Sequence, residues 1–465
     1  MYISPFAIIL IIYIARVIYK TRDTQKIFVE LLGITIIVTL NVRMGCFIRI
    51  GDKLLTYNSV LVYSLGIIAL IQLEKKNRNN HKVLGMIIIL LLAANMILQV
   101  LKPYTGTIII NWDHYLSTMN RYIIYSDYNG RVGGISLGYY LIVFFNIVSV
   151  LCIEAVLDEN DKKMLLTKTC NASKIFVFYG MIECFIMNVF RKVITINIST
   201  FIFGKVGAHH TLLTRRGRLY LFQGTTQEAS MFNFVLFFSA LLFMMEYKKT
   251  NNKKRACCMA RWTVLCCLLL VLNPTLSSVV YLLIIAVLSY FRIFARKKKK
   301  SIMILSALCI PAMIIVILLL INYICFMIPD SEIVTRINEA LKFEQAYSNG
   351  IPKYSSTGIR FTGIKHTFNI FLERPLFGIG LNQINCDSGI VSSLCCFGLL
   401  GTGAWIIFLI QSFKLKKIYV EYIILCLAII VFPNIFLNTF DHLFLLVIPF
   451  LLSCYNKKQL GAIQC

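Results

Sequence analysis

Charge is scarce in this sequence. Only 15% of its 465 residues are Asp, Glu, Lys or Arg, while 58% are hydrophobic and the mean hydropathy is +0.76. A water-soluble fold of this length needs more charge than that to cover its surface, which excludes a string of soluble domains. Acids are the scarcer sign, with 21 Asp and Glu against 47 Lys and Arg and a formal charge of +26. In a soluble protein that imbalance points to nucleic acid. Basic residues also gather in the cytoplasmic loops of membrane proteins, so no nucleic-acid partner is expected. His209-His210 have no partners at metal-ligand spacing, and cysteines such as Cys257, Cys258, Cys266 and Cys267 lie in apolar runs, where thiols act as small hydrophobes. No metal, no cofactor and no essential disulfide are expected. The absence of an internal repeat removes the inverted-repeat logic of many secondary transporters. The apolar stretch from Ser4 has neither a basic n-region nor a small-residue cleavage site, and reads as a retained span.

What the chain has instead is long apolar blocks. Each is about 16–22 residues, enough to cross roughly 30 Å of hydrocarbon as a helix. Candidate spans begin near Ser4, Phe28, Leu54, Val83, Ile135, Ile175, Ala229, Trp262, Ser277, Ile302, Ile390, Ile418 and Phe440. The pair from Trp262 and Ser277 is short, with Asn273-Pro274 between them, and reads as a hairpin of short helices or one broken helix. The expected fold is all-α: a polytopic integral membrane helix bundle of about 12–13 spans with a small helical external subdomain.

Alternate connections carry the positive charge: Lys20/Arg22/Lys26, Lys75 to Lys82, Lys162 to Lys174, Lys248 to Arg261, Arg292 to Lys300 and Lys414 to Lys417. That side is expected to face the cytoplasm. The organisation then reads as membrane spans over residues 1–321 with external loops near 102–134 and 196–228, a large external segment over 322–389, and C-terminal spans over 390–465. The 196–228 loop holds Lys205, Arg215, Arg216 and Arg218 with no acid before Glu228. Basic residues kept on the disfavoured side suggest an anionic ligand. The 322–389 segment balances six basic residues against six acids and reads as a small folded subdomain.

Three stretches carry motifs. Residues 358–401 read GIRFTGIKHTFNIFLERPLFGIGLNQINCDSGIVSSLCCFGLLG. Periodicity makes Ile359 to Phe371 a short amphipathic helix, Arg374-Pro375 stops it, Phe377-Gly378-Ile379-Gly380 turns, and Asp387-Ser388 precedes the next span. Gly398, Gly401 and Gly403 within that span suit close helix packing. The second stretch runs from Arg218 through Gly224 to Glu228-Ala229-Ser230, and the third is Thr275-Leu276-Ser277-Ser278. Together they resemble the core of the O-antigen polymerase and O-antigen ligase superfamily. In that family an Arg begins an external helix, a Pro-Leu-Phe-Gly-x-Gly turn follows, and a polar residue sits at the mouth of a span with a Gly-Leu-Leu-Gly-like pattern. Ala229 replaces the family's usual Pro, and Ser278 stands where Arg is common.

The resemblance implies glycosyl transfer on the outer face of a bacterial cytoplasmic membrane, from a glycan carried on a polyprenyl diphosphate to an acceptor hydroxyl. Such chemistry needs cationic donors for the departing diphosphate, a base for the hydroxyl and a means of positioning both glycans. By the resemblance Arg218 and Arg360 grip the diphosphate, with Arg215, Arg216 and Arg374 adding contacts and Glu228 orienting an arginine or touching substrate. Ligases carry a His where this chain has Asp387. That moves the reading towards a polymerase, with Asp387 as base and His366, about two turns beyond Arg360, as the alternative. Without the resemblance Asp387 also reads as a helix cap, since Asp is a favoured N-cap. No Asp-x-Asp motif is present, in keeping with a metal-independent transfer. Expected partners are lipid-linked donor and acceptor glycans, the bilayer, a chain-length regulator and a flippase. A ligase, or a flippase for lipid-linked repeats, remains the alternative function.

Overall fold

The computed structural model describes residues 2–21, 23–41, 45–50, 53–75, 82–110, 124–129, 134–192, 194–204, 215–216, 219–226, 229–250, 252–273, 275, 278–279, 281–286, 289, 345–348, 351–354, 356–381, 384 and 388–412. The spans expected from Ile302, Ile418 and Phe440 lie outside the described residues, as do Arg218, Glu228 and Asp387.

Helices dominate. The chain opens with a short strand β1 (Tyr2–Ile3), then α1 (Pro5–Thr21) and α2 (Thr24–Asn41), strands β2 (Cys46–Ile50) and β3 (Lys53–Thr56), and α3 (Tyr57–Lys75) and α4 (Lys82–Leu101). A hairpin β4 (Thr105–Ile110) and β5 (Ile124–Asn129) precedes α5 (Gly134–Val156) and α6 (Glu159–Phe185), which continues as a π-helical turn (Ile186–Phe190). Then come α7 (Ile194–Phe203), a two-residue hairpin β6 (Arg215–Arg216) and β7 (Leu219–Tyr220), α8 (Ala229–Lys249) and α9 (Lys253–Leu272). A last hairpin, β8 (Gln345–Ser348) and β9 (Ile351–Tyr354), leads into α10 (Ser356–Glu373) and α11 (Gly389–Ser412). Among the described residues, six helices are long and apolar enough to cross a membrane: α2, α3, α4, α6 with its π turn, α9 and α11. The all-α polytopic fold is as expected, with small hairpins added in the connections.

The helices run up and down. Short connections at 22–23, 157–158 and 250–252 close one end, where Lys20, Lys26, Lys162 and Lys253 lie. Among the described residues, the hairpins and motif-bearing segments lie toward the other end, where Thr225 bonds the Asn41 carbonyl at the end of α2 and His366 the Thr107 carbonyl beyond α4. Large apolar side chains remain exposed along the helix flanks, among them Ile8, Ile12, Met86, Leu90 and Val264. Facing water they would be costly; facing lipid tails they are at home. The core is an aromatic-rich cluster in which Phe237 stacks on Tyr281 with ring centroids 4.6 Å apart.

Several boundaries depart from the hydropathy reading. The span expected from Ile175 is the far part of α6, which starts at Glu159 because Asp158 and Asp161 close a reciprocal capping box. Lys162, Lys163, Lys168 and Lys174 are therefore helical, and Lys168 pairs with Glu30 of α2. The short span expected from Trp262 is a full helix. The Asn252 side chain accepts a 3.2 Å bond from Arg255 N and starts α9 nine residues earlier than expected. Cys257 and Cys258 are exposed on its early turns, whereas Cys266 is buried. The span expected from Leu54 begins at Tyr57, since Lys53–Thr56 pairs with β2 instead. Part of the expected 196–228 loop is helix α7.

The largest departure is inside α11. Gly398 has φ 69° and ψ −179°, a conformation open essentially to glycine alone, so the helix is broken in mid-span. Its expected use in helix–helix packing is replaced by a close approach of the Arg374–Leu381 turn. A Cβ on Gly398 would lie 2.2 Å from the Leu376 carbonyl oxygen. Gly398→Ala therefore combines backbone strain of about 1–3 kcal/mol with a clash that only a shift of backbone can relieve. The expected outcome is a lower thermal midpoint for the purified variant in detergent, while Gly403→Ala, where a Cβ meets nothing within 4 Å, stays at the wild-type value.

Candidate functional site

The break in α11 is filled by the turn that follows α10. Ile379 N and Gly380 N donate to the carbonyls of Cys395 and Cys396 (2.9 and 3.0 Å), while Leu399 N and Leu400 N donate to those of Pro375 and Leu376 (2.8 and 3.2 Å). The turn thus takes the place of the missing helical hydrogen bonds on both sides of the break. Glycine at 378 is needed for the same fit, because a Cβ there would lie 2.5 Å from the Cys395 carbonyl oxygen. The Pro-Leu-Phe-Gly-Ile-Gly run and the glycine of the following span are two halves of one junction.

Membrane helices α4 and α5 hold that junction with polar side chains. Asn95 Nδ2 donates to the Phe377 carbonyl (2.5 Å) and the Cys396 carbonyl (3.1 Å). The Tyr140 hydroxyl accepts from Leu381 N (3.2 Å) and donates to Asn95 Oδ1 (2.5 Å), with Gln99 Oε1 also within reach at 2.9 Å. All three side chains are buried. Beyond the turn, Ser388 takes the N-cap position of α11: its carbonyl accepts from Ser392 N (2.9 Å) and its Oγ receives a long 3.5 Å bond from Val391 N. The capping role considered for Asp387 is filled by its neighbour.

Helix α10 is tied to the strand that leaves α4. His366 Nε2 lies 2.9 Å from the Thr107 carbonyl oxygen, which can only accept, so Nε2 carries the proton and any role as a base would fall to Nδ1. Arg374 donates through Nη1 to the Lys102 carbonyl (2.6 Å) and through Nη2 to the Pro103 carbonyl (3.2 Å), with its guanidinium 5.8 Å above the Tyr104 ring. Burial, and then the Glu373 carboxylate, raise the pKa of the Tyr104 phenol. Arg360 lies in the N-terminal part of α10, before the tied portion. Arg374 and His366 are thus held by backbone carbonyls, an anchoring arrangement on which any contact with substrate would be superimposed.

The second motif forms another junction at the same end of the bundle. Beyond β7 the chain is irregular from Leu221 to Thr226, and side chains from the bundle serve as partners from Tyr220 to Thr225. Asn188 pairs with both N–H and C=O of Tyr220 (2.8 and 3.3 Å), and Asn273 does the same for Phe222 (3.3 and 3.0 Å). Gln223 N donates to the buried Glu183 carboxylate (2.8 Å), and Thr225 Oγ1 to the Asn41 carbonyl (2.8 Å). Arg215 and Arg216 form the strand paired with Leu219–Tyr220, which fixes their backbone beside this segment. The Thr275–Ser278 motif is a reciprocal cap: Ser278 N donates to Thr275 Oγ1 and Thr275 N to Ser278 Oγ (3.1 and 3.0 Å). Asn233 Nδ2 donates to the same threonine hydroxyl at 2.7 Å.

Of the residues singled out from sequence, His366 and Arg374 meet at the first junction, while Arg215 and Arg216 adjoin the second. Asn95, Gln99, Tyr140, Glu183 and Asn273 were not singled out. A signal for most of them existed, since a carboxylate or amide in an apolar run is costly unless it has work to do. Tyr140 carried no such signal, because tyrosine is common in membrane spans. Asn273→Ala leaves the N–H and C=O of Phe222 and the amide of Asn233 without this partner, at about 1–3 kcal/mol for each buried group left unsatisfied. The expected outcome is a lowered thermal midpoint together with faster protease cleavage within residues 219–226.

No curated protein and no solved structure matches the chain. A family model described as O-antigen ligase matches residues 262–394, a segment that takes in the Thr275–Ser278 cap, α10, the turn and the first part of α11. With six membrane-length helices among the described residues and both junctions toward one end, the chain is a multi-pass membrane protein whose 262–394 segment is similar to the O-antigen ligase family model.

Proposed function

We propose that this protein polymerises oligosaccharide repeats carried on polyprenyl diphosphate, building a capsule, O-antigen or exopolysaccharide on the outer face of the cytoplasmic membrane. The observation that carries the reading is the junction at the matched segment, where the motif turn is locked into a broken span at the end of the bundle away from the basic connections. A charged lipid-linked substrate reaches such an end from the bilayer without crossing it. The positive-inside rule supports an external setting for that end.

In the proposed reaction the acceptor hydroxyl oxygen attacks the anomeric carbon of the donor sugar. The Asp387 carboxylate takes the hydroxyl proton, the bond from the anomeric carbon to the diphosphate oxygen breaks, and the diphosphate leaves with the electron pair. Attack opposite the leaving group inverts the anomeric centre. Arg218 and Arg360 neutralise the charge that develops on the diphosphate, with Arg215 and Arg216 adding field strength. Glu228 orients an arginine, while His366 holds α10 against β4 and Arg374 holds its end against the α4–β4 connection. Asp387 immediately precedes the Ser388 cap of α11 in sequence.

A ligase reading is favoured by the description of the matching family, and it differs in the acceptor. Purified full-length protein in nanodiscs, given its lipid-linked repeat in EDTA, is expected to yield a ladder spaced by one repeat, and Asp387→Asn to lose it by a factor of about 10²–10⁴. Single products formed only with an added acceptor would replace the polymerase reading with a ligase. Translocation without transfer would replace it with a flippase. Arg360→Ala and Arg218→Ala are expected to lower turnover by about 10²–10³-fold at unchanged membrane expression. Near-normal turnover in either would remove that arginine from the diphosphate site.

A further inference from the structure

The Asn95–Tyr140 pair lies in membrane helices, outside every motif, yet it touches the motif turn at two backbone groups and the break in α11 at a third. Both N–H groups of the Asn95 carboxamide are spent, one on Phe377 in the turn and one on Cys396 at the break in α11. The Tyr140 hydroxyl orients that carboxamide by donating to its oxygen, and also accepts from Leu381 N, the last described residue of the turn. Tyr140 thus holds the turn at Leu381, directly after its close approach to the break in α11.

We infer that Asn95 and Tyr140 are positioning residues for the transfer reaction. They set how the turn sits in the break, and through it the seating of α10, the helix that carries Arg360. The inference rests on the proposed glycosyl-transfer reading. Four backbone hydrogen bonds between the turn and α11 persist without the pair, so the junction stays formed when a single hydroxyl is removed. What is lost is its exact seating, and a displacement of about 1 Å at a reacting group costs up to about a hundredfold in rate.

Tyr140→Phe keeps the buried ring and removes only the hydroxyl; Asn95→Asp keeps the shape and removes both donors. Each full-length variant is assayed in nanodiscs with the lipid-linked repeat, alongside thermal unfolding and amide exchange of residues 377–400. Tyr140→Phe is expected to lower kcat by about tenfold or more with KM within about twofold, while the thermal midpoint stays near wild type. The Leu381, Ile379 and Gly380 amides are expected to exchange faster in both variants. Wild-type kcat in both variants overturns the inference. So does a loss of activity that tracks the folded fraction, because the pair then serves stability alone. Should the wild type transfer no glycan, the functional reading fails first and the inference falls with it; the exchange measurement still reports whether the pair seats the turn.

Discussion

A backbone amide or carbonyl at membrane depth has no water to turn to, and leaving one unpaired costs several kcal/mol. A continuous helix meets this requirement internally. Among the described residues, the break around Gly398 and the buried segment that follows β7 are non-helical near one end of the bundle, and each is repaired by a different device. At the break, backbone repairs backbone: the turn supplies two donors and two acceptors in the register that the helix abandons. Along Tyr220 to Thr225, side chains repair backbone: Asn188 and Asn273 each present an amide that pairs with one residue as a neighbouring strand would. Non-helical backbone at such depth is tolerated only where it is enclosed by protein or borders a wet cavity.

The distinction bears on what the sequence makes legible. A backbone repair constrains the residues that make it, because only glycine fits at 398 and 378, and the result is a compact motif readable from the chain alone. Side-chain repair scatters its residues. Glu183, Asn188, Asn233 and Asn273 come from α6, its π turn, α8 and the residue after α9, and nothing in their spacing announces that they converge. The same contrast separates the well-placed Arg374-Pro375 stop from the unforeseen Asn95 and Tyr140. Helix starts were misjudged for another reason. Hydropathy registers where hydrocarbon begins, whereas α6 and α9 begin where Asp158 and Asn252 cap them, several residues into the polar zone. The bundle was legible because its signal is distributed over hundreds of residues. The hairpins were not, since β2–β3 and β4–β5 are short and lie between much stronger apolar blocks.

The two junctions also explain why basic residues can remain beside them. An arginine on a mobile loop contributes little to stabilising charge that develops on a leaving group, because reorganising it consumes the benefit. Arg215 and Arg216 lie on a strand whose partner, Tyr220, is held on both sides by Asn188, and Arg360 lies on a helix whose far half is tied to β4 through His366 and to the α4–β4 connection through Arg374. Rigidity is thus transmitted from the bundle to the cationic segments through a few polar side chains. The expense of burying Asn95, Asn273 and Glu183 in membrane helices is reasonable on those terms: each anchors a segment that hydrophobic contact alone could not hold in register, because lipid and protein are equally apolar there.

The anchoring of α10 has a directional consequence for the proposed transfer. Its C-terminal half is fixed at His366 and Arg374, eight residues apart, while Arg360 lies six residues before the first of these ties. A helix is stiff over that distance, so the position of Arg360 follows from the two ties at its other end and from the hairpin β8–β9 that leads into it. Loss of the Arg374 bonds would therefore be felt at Arg360 as a change of angle. Arg374, with both donors on backbone carbonyls, would in this way bear on the proposed diphosphate site through the helix. It also gives physical content to the order of the motif, in which arginine, helix, stop and turn follow one another without interruption. Each fixes the next, and the last is fixed by the broken span.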